Sequence, residues 1–482
     1  MAEACARALE THTAWLFFAG DRVYKVKKPV HLGFLDFRSV EARARACADE
    51  VALNRRLSPD VYLGVAEIRG PDGYEHAVVM RRMPDELRLG HLLRTRTDLA
   101  AEVDQIASLL ARFHSDAQIP DDAANLGSAR LLRARWDDGL DLLERTGVVP
   151  SADVQETRRL AHRYLAGRQG LLRARVTAGR VRDGHGDLLT DDIFCLPEGP
   201  RILDCLEFDR ELRIGDTLAD VTFLAMDLEH QGAPAYAQRL LDRYAALSND
   251  RWPRSLEHHY VAHRAHIRAK VSAIRAGQTT GEESARAAAE SRKLTSLGLR
   301  HLQVGRVRML VIGGLPGAGK STVATAVAGR TGWPVLSSDI VRKQLAGLPA
   351  LVPAGADFRN GIYTSGWSEA AYAEMFEQAS RHLEMGESVI LDASFTDPLQ
   401  RQEAAALARR TSTDLVEVSL LTLDVTAEAR IATRRPGETT SDATIDVRRR
   451  LAEYAEPWPS AHGVRSDTAL EETVAQVAEL LR

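Results

Sequence analysis

The chain has 482 residues, too many for one ordinary hydrophobic core, so two or three domains are expected. Hydrophobic residues make up 45% and charged residues 27%, which excludes disordered and fibrous classes. A formal net charge of −4 argues against the broad basic surface that non-specific nucleic-acid binding needs.

The first thirty residues read as a β-hairpin: Trp15–Phe18, a turn at Ala19-Gly20-Asp21, then Arg22–Lys27. A helix is expected through Glu41–Leu57, ended by Ser58-Pro59. Strand-like runs follow at Val61–Ile68 and His76–Met83. From Asp98 to Ser115, Ile106, Leu109, Leu110 and Phe113 recur at i, i+3, i+4, i+7, the spacing of an amphipathic helix. Helical pattern continues to Arg180, is interrupted by a loop-and-strand island at 183–209, and resumes to about residue 275. Residues 276–305 read as a helical connection. From 306 the pattern alternates strand, Gly-rich turn, helix, strand, helix, the signature of a parallel α/β sheet. The expected organisation is therefore an α+β domain over 1–275, a helical linker over 276–305, and an α/β domain with a parallel sheet over 306–482.

The cysteines, Cys5, Cys47, Cys195 and Cys205, are scattered without a CxxC pair, which predicts reduced thiols and neither disulfides nor zinc. No apolar run approaches the roughly 20 residues of a membrane span, and the first residues lack a signal-peptide pattern. A cytoplasmic protein without a membrane partner is expected. Only seven of the 63 basic residues are lysine. Lysine is a compact point charge that fits against a phosphate, whereas arginine is a wide fork. Lysines kept in an arginine-rich chain, Lys25, Lys27 and Lys320 among them, point to a chemical requirement.

In the N-terminal part, His185-Gly186-Asp187-Leu188-Leu189-Thr190-Asp191-Asp192 follows H-x-D-x-x-x-x-N except at its last position, where Asp192 replaces Asn. Asp187 is the candidate acceptor of a hydroxyl proton. A carboxylate at Asp192 can still ligate Mg²⁺. Asp204 closes the next strand, and Asp204 or Glu207 is the candidate for a second metal contact. This segment resembles the catalytic loop of the aminoglycoside phosphotransferase-like kinases, with Leu110-Ala111-Arg112-Phe113-His114 before it and Gly215-Asp216-Thr217-Leu218-Ala219-Asp220 after it. The resemblance implies a bilobal protein-kinase-like fold and a strand lysine that binds ATP phosphates and pairs with a helix glutamate. Lys25 or Lys27, on one strand face by period two, would be that lysine, and Glu50 its partner.

In the C-terminal part, Gly314-Leu315-Pro316-Gly317-Ala318-Gly319-Lys320-Ser321 satisfies G-x-x-x-x-G-K-[ST] in full, after an apolar strand at Met309–Ile312 and before a helix from Thr322 to Arg330. Glycines let the backbone amides curl around phosphates at a helix N-terminus. Lys320 would reach the β- and γ-phosphates and Ser321 would ligate Mg²⁺. Strand Pro334–Leu336 leads to Asp339, the candidate general base, with Arg342 one turn on for an acceptor oxyanion. Strand Ser388–Leu391 leads to Asp392, a second Mg²⁺ candidate. Asp424 is expected to close a further strand, with Arg430 and Arg434 at i, i+4 on the helix after it and a lid tip at 436–442. These pieces, with Arg401 behind the Asp392 strand as a further acceptor residue, resemble the P-loop kinases that include polynucleotide-kinase-like and zeta-toxin-like domains. The resemblance implies the base role for Asp339 and lid roles for Arg430 and Arg434.

The order of the two parts is similar to that of the bifunctional aminoglycoside phosphotransferase/ATP-binding proteins. The expectation is an ATP- and Mg²⁺-dependent phosphotransferase acting on the hydroxyl of a small molecule. Two other readings fit the same residues: a nucleotide-controlled regulatory protein without acceptor turnover, and a nucleic-acid end kinase, which the acidic balance disfavours. The pattern names neither the acceptor nor the oligomeric state.

Overall fold

The computed structural model describes residues 7–11, 13–31, 36–70, 73–352, 361–435 and 440–481. Cys5 and residues 436–439 of the expected lid tip lie outside the described residues. The other cysteines are free thiols. No helix among the described residues is long and apolar enough to cross a membrane. The chain divides into two compact units: Met1–Arg158, Leu172–Trp252 and Glu257–His301 form the first, and Arg159–Leu171, Pro253–Leu256 and Leu302–Arg482 the second.

Unit 1 is α+β, an antiparallel sheet followed by a helical part. Its antiparallel sheet runs in the order β1 (Arg7–Glu10), β2 (Ala14–Ala19), β3 (Arg22–Lys27), β5 (Gly73–Arg81), β4 (Tyr62–Gly70). Ala19 pairs with Arg22, so the hairpin turn is Gly20-Asp21, one residue shorter than expected. Gly20 takes φ 59°, a conformation glycine adopts without a Cβ penalty. β1 is an addition: its four residues are all exposed and carry no alternation to signal a strand. The helix Val40–Asn54 starts where Ser39 Oγ accepts the Ala42 N–H at 3.1 Å. It buries Cys47 and Val51 against Val61, Tyr62 and Val78 of the sheet, which turns Glu50 inward with them.

The helical part of unit 1 is built on Thr217–His230, whose first twelve residues are all buried, the pattern of a central helix packed all round. Pro234–Ser248 packs against it and against Ala100–Asp116. Between sheet and helices lie the short strands β6 (Val181–Asp183), β7 (Ile193–Leu196), β8 (Gly199–Ile202) and β9 (Ile214–Asp216), paired β6 with β9 and β7 with β8. They occupy the island expected at 183–209 and extend it to 216. The helix Gly281–Val304, in the expected linker, packs along Arg254–Gln278, where Ser291 Oγ donates to Ala269 O at 2.9 Å.

Unit 2 is a five-stranded parallel sheet in the order β11 (Val335–Ser337), β12 (Val389–Asp392), β10 (Arg308–Gly313), β13 (Asp414–Leu421), β14 (His462–Arg465). A parallel sheet covered by helices on both faces needs continuous apolar strands. Met309–Ile312 supply one, with every side chain fully buried. Leu310, Ile312, Ile390 and Val418 pack against Val323 and Val327 of the helix Lys320–Thr331 and against Val474 and Val477 of Leu470–Glu479.

One buried ion group fastens unit 1 behind its candidate site. Arg175 donates to both oxygens of Asp216, at 2.8 and 2.6 Å, and of Asp250, at 2.6 and 2.8 Å. Removing the cation leaves two buried carboxylates facing each other. Arg175→Met is therefore expected to cost about 3–5 kcal/mol, read as a lowered urea midpoint.

Candidate active site

Parallel register gathers the unit 2 residues. Asp392 pairs with Ile312 on one side and with Ser337 on the other, so β10, β11 and β12 all end at one edge. Ligands of open α/β sheets bind outside that edge. The loop leaving β10 turns through Gly314, Gly317 and Gly319 at φ 139°, 81° and 84°. At Gly317 a Cβ would sit 2.6 Å from Ala427 O. The loop runs into the N-terminus of the helix Lys320–Thr331, with Thr322 in its first turn.

Around this loop the candidate residues converge. Lys320 Nζ donates to Leu315 O at 3.4 Å. Burial lowers its pKa, while the charges of Asp392 and Asp339 oppose the shift. Ser321 Oγ donates to Asp392 Oδ2 at 2.6 Å. Asp392 is buried, which raises its pKa against the pull of Lys320 and Ser321. Asp339 lies in the first turn of the helix Ser338–Leu345 and accepts from Arg342 Nη1 at 2.8 Å. Arg342 stacks over the Tyr363 ring, 5.0 Å from its centroid. Arg430 reaches the loop, donating to Gly317 O at 3.4 Å and to Ser466 O at 2.7 Å.

Three expectations change here. β13 ends at Leu421, so Asp424 does not close a strand; it opens the helix Asp424–Ala432 and pairs with Arg448 at 2.8 Å. Arg434 lies beyond that helix, which ends at Ala432 with Thr433 as its C-cap. It donates to Ala443 O at 3.3 Å, within electrostatic reach of Asp339. Arg401, expected at the acceptor, donates to the carbonyls of Phe395, Pro457, Thr396 and Glu456 at 2.7–3.0 Å and stacks on Trp458. Four of its five N–H donors are engaged in holding loops together. Sequence reasoning missed Arg448, which donates to Pro316 O at 2.5 Å. It stands in a run of three arginines with nothing in the pattern to single it out.

In unit 1 both candidate lysines meet Glu50. Lys25 Nζ lies 2.9 Å from Glu50 Oε1 and 2.7 Å from Asp204 Oδ1. Lys27 Nζ lies 2.6 Å from Glu50 Oε2 and also bonds Glu207. Burial alone would lower the Lys25 pKa, but Asp204, Glu50 and Glu207 together raise it well above the usual lysine value. Lys27 is fully enclosed, whereas Lys25 keeps 14% of its side chain exposed and faces Asp204. Asp204 adopts φ 63°, a strained conformation for a residue with a Cβ. Burial lifts the Asp187 carboxyl to about 6, helped by Asp204 and opposed by Arg268. Asp192 is raised well above its usual value by burial and then by Asp204 and Asp187.

Both sites suit a divalent cation of the Mg²⁺ type. Among the described residues no three His, Cys, Asp or Glu side chains form a metal cage. Mg²⁺ bound with nucleotide phosphates needs only one or two protein oxygens. Ser321 and the buried Asp392 supply such a pair in unit 2. In unit 1 the mutual repulsion of Asp187, Asp192 and Asp204 is the kind that a cation relieves.

One residue that orders the unit 1 loop is Asp220, the last of the Gly215–Asp220 run. Asp220 accepts from the His185 and Gly186 N–H groups at 2.7 and 2.9 Å, and its Oδ2 lies 3.0 Å from His114 Nε2. Asp227 holds the same loop further on, accepting from Thr190 N and Oγ1 at 2.8 and 2.6 Å. Burial would raise the Asp220 pKa, but the His114 bond and the charges of His114, His185 and Arg264 hold it well below the carboxylate range. Its stabilisation is thus complete above the unfolded carboxylate pKa and is lost as pH falls below it. Asp220→Ala is expected to cost about 3 kcal/mol or more at pH 7. The gap between variant and wild type should narrow on acidification towards pH 3, followed by urea unfolding at each pH.

Residues 309–458 match the family described as an AAA domain. Over 480 residues the chain is 39% identical to the uncharacterized protein Rv2004c of Mycobacterium tuberculosis (strain ATCC 25618 / H37Rv), covering 98% of this chain and 95% of that protein. A choline/ethanolamine kinase family protein from Mesorhizobium loti is similar at 15% identity and TM-score 0.38, over 63% of this chain and 93% of its own. The Mycobacterium tuberculosis APS kinase CysC, solved with AMPPNP and APS, is similar at 22% identity and TM-score 0.28, over 36% of this chain and 98% of its own. Across nearly its whole length, the chain belongs to the same family as the mycobacterial protein Rv2004c, with a P-loop domain of the AAA group at its C-terminal end.

Proposed function

We propose that unit 2 transfers the γ-phosphoryl group of ATP to a hydroxyl of a small molecule. The observation that carries this reading is the convergence, at one sheet edge, of a P-loop amide nest, Lys320, the Ser321–Asp392 pair and the Asp339–Arg342 pair. Backbone amides of 314–321 bind the phosphates, and Lys320 sits against the β/γ pair. Asp392 and Ser321 hold Mg²⁺, which when bound neutralises charge on the β- and γ-phosphates. Asp339 takes the proton of the attacking hydroxyl while Arg342 holds it in position. Arg430 and Arg434 balance the charge of the transferring group.

We read unit 1 as a second phosphotransferase site. The assembled Lys25–Glu50 pair, with Asp204 on the same lysine, favours it, since a drifting strand and loop have no need to keep opposed charges in register. Lys25 binds the phosphates, Lys27 positions Glu50, Asp204 and Asp192 hold the metal, and Asp187 is the base. Glu207, bonded to Lys27, steadies that lysine.

Each base is testable separately in the full chain. Asp339→Asn is expected to lower acceptor-dependent ADP release at unit 2 by about 100-fold or more while the ATP dissociation constant stays within about twofold. Unchanged turnover would remove the base assignment. Asp187→Asn is expected to abolish a distinct acceptor activity and leave that of unit 2 intact. An identical substrate profile in variant and wild type would make unit 1 catalytically silent.

A further inference from the structure

Three histidines lie buried together in unit 1. The helix Arg254–Gln278 carries His259, His263 and His266 at i, i+4, i+7, so they share one face. That face meets the helix Ala129–Thr146, which buries one stripe: Leu132, Trp136, Gly139, Leu140 and Leu143. All three imidazoles surround the Trp136 ring. Their centroids lie 5.7, 5.1 and 4.8 Å from it, with His266 stacked at 25°. Gly139 gives the third ring its place, since a Cβ there would sit 2.2 Å from His266 Nε2. A glycine inside a helix is otherwise unfavourable.

The geometry admits only neutral imidazoles. Trp136 Nε1 donates to His259 Nε2 at 3.3 Å, so that nitrogen must carry a lone pair. A proton on it would set two N–H donors head to head. His266 Nε2 faces Gly139, and neither it nor His263 Nε2 has a hydrogen-bond partner among the described residues. A charged ring is protonated at both nitrogens, and a proton at either position would have no acceptor. The charges that act most on the rings are cations: Arg135 from Ala129–Thr146, Arg158 from the helix Ser151–Gly167, and Arg264 and Lys270 from their own helix. The nearby carboxylates are engaged elsewhere. Asp137 and Asp141 hold Arg158, Glu257 accepts from Trp252 Nε1, and Asp220 of the central helix acts on Arg264. The helix Gly281–Val304 approaches through the uncharged Gly298 and Ser291. The face of Trp136 attracts a cation, but it stacks on one imidazole only. Burial, with these cations adding to it at His263 and His266, holds His259 and His266 down at about 3 and His263 well below the usual histidine value.

We propose that His259, His263 and His266 form an acid-sensitive latch: on mild acidification they take up protons and the seam between Ala129–Thr146 and Arg254–Gln278 opens. Such rings contribute their stability in full above the unfolded histidine value of about 6.5. It is lost as pH falls below that value, because the opened chain takes a proton that the closed one refuses. Each ring then lowers the closed-to-open ratio about tenfold per pH unit. Loss of carboxylate pairs sets in lower, below about pH 5. The latched helix also touches the candidate site of unit 1: Arg264 Nε donates to Ala219 O at 2.8 Å, and Arg268 Nη1 lies 4.0 Å from Asp187 Oδ2. Opening the seam therefore loosens the surroundings of Asp187. The latch is independent of what unit 1 catalyses.

Amide hydrogen exchange of the full chain, read by mass spectrometry at pH 7, 6 and 5 and corrected for the intrinsic rate, tests the latch. Peptides from 129–146 and 254–278 are expected to lose protection about hundredfold or more from pH 7 to pH 5. Peptides from Thr217–His230 and from β10 are expected to keep theirs. His266→Phe, which keeps a ring over Trp136, should remove about tenfold of that loss, and His263→Leu should do the same. Unchanged protection of 129–146 and 254–278 in the wild type overturns the proposal, whether or not the variants fold. So does an equal loss in Thr217–His230, which would make the event an unfolding of the whole unit. A pH dependence in both variants as steep as that of the wild type also overturns it.

Discussion

The arrangement of unit 2 depends on parallel register. Because Asp392 is opposite both Ile312 and Ser337, three strands release their chains at one edge, and the P-loop, Asp392 and Asp339 arrive together without long excursions. The strands are held by burial on both faces, under helices that pack their apolar side chains. Close approach does the rest. The loop bends back onto Ala427 and β13 at glycines because no other residue fits there. The cost of burying Lys320 and Asp392 is offset by setting them in each other's field.

Unit 1 solves a similar problem with buried carboxylates rather than with a glycine loop. Glu50 lies between two lysines, and Asp220 lies between His114 and two loop amides. Each is a charge that folding tolerates only with its partners complete. That requirement rigidifies the elements it joins: strand to helix at Glu50, and loop to helix at Asp220. The strained Asp204 sits between these fixed points, where a cation or phosphate has most to interact with.

Legibility in the sequence followed how local the physics was. The P-loop was plain because strand, glycines, Lys320 and helix are contiguous. The helix–strand alternation of unit 2 and the hairpin of β2 and β3 were equally readable. Period two put Lys25 and Lys27 on one face but gave no way to choose between them, and in the fold both touch Glu50. The place of Arg401 behind β12 points towards the acceptor; only the path of the distant 456–458 segment decides where its guanidinium points. A helical count puts Arg434 on the helix with Arg430, but that helix stops at Ala432. Arg448, Arg268 and Asp220 act through contacts spanning tens of residues, which no periodicity encodes.

The proposed function requires two ATP sites, with Lys320 essential to the one at the P-loop. Calorimetric titration of Mg-ATP into the full-length protein tests this most directly. The account predicts two equivalents bound by the wild type and one by Lys320→Ala. The same stoichiometry and affinity in both proteins would contradict it.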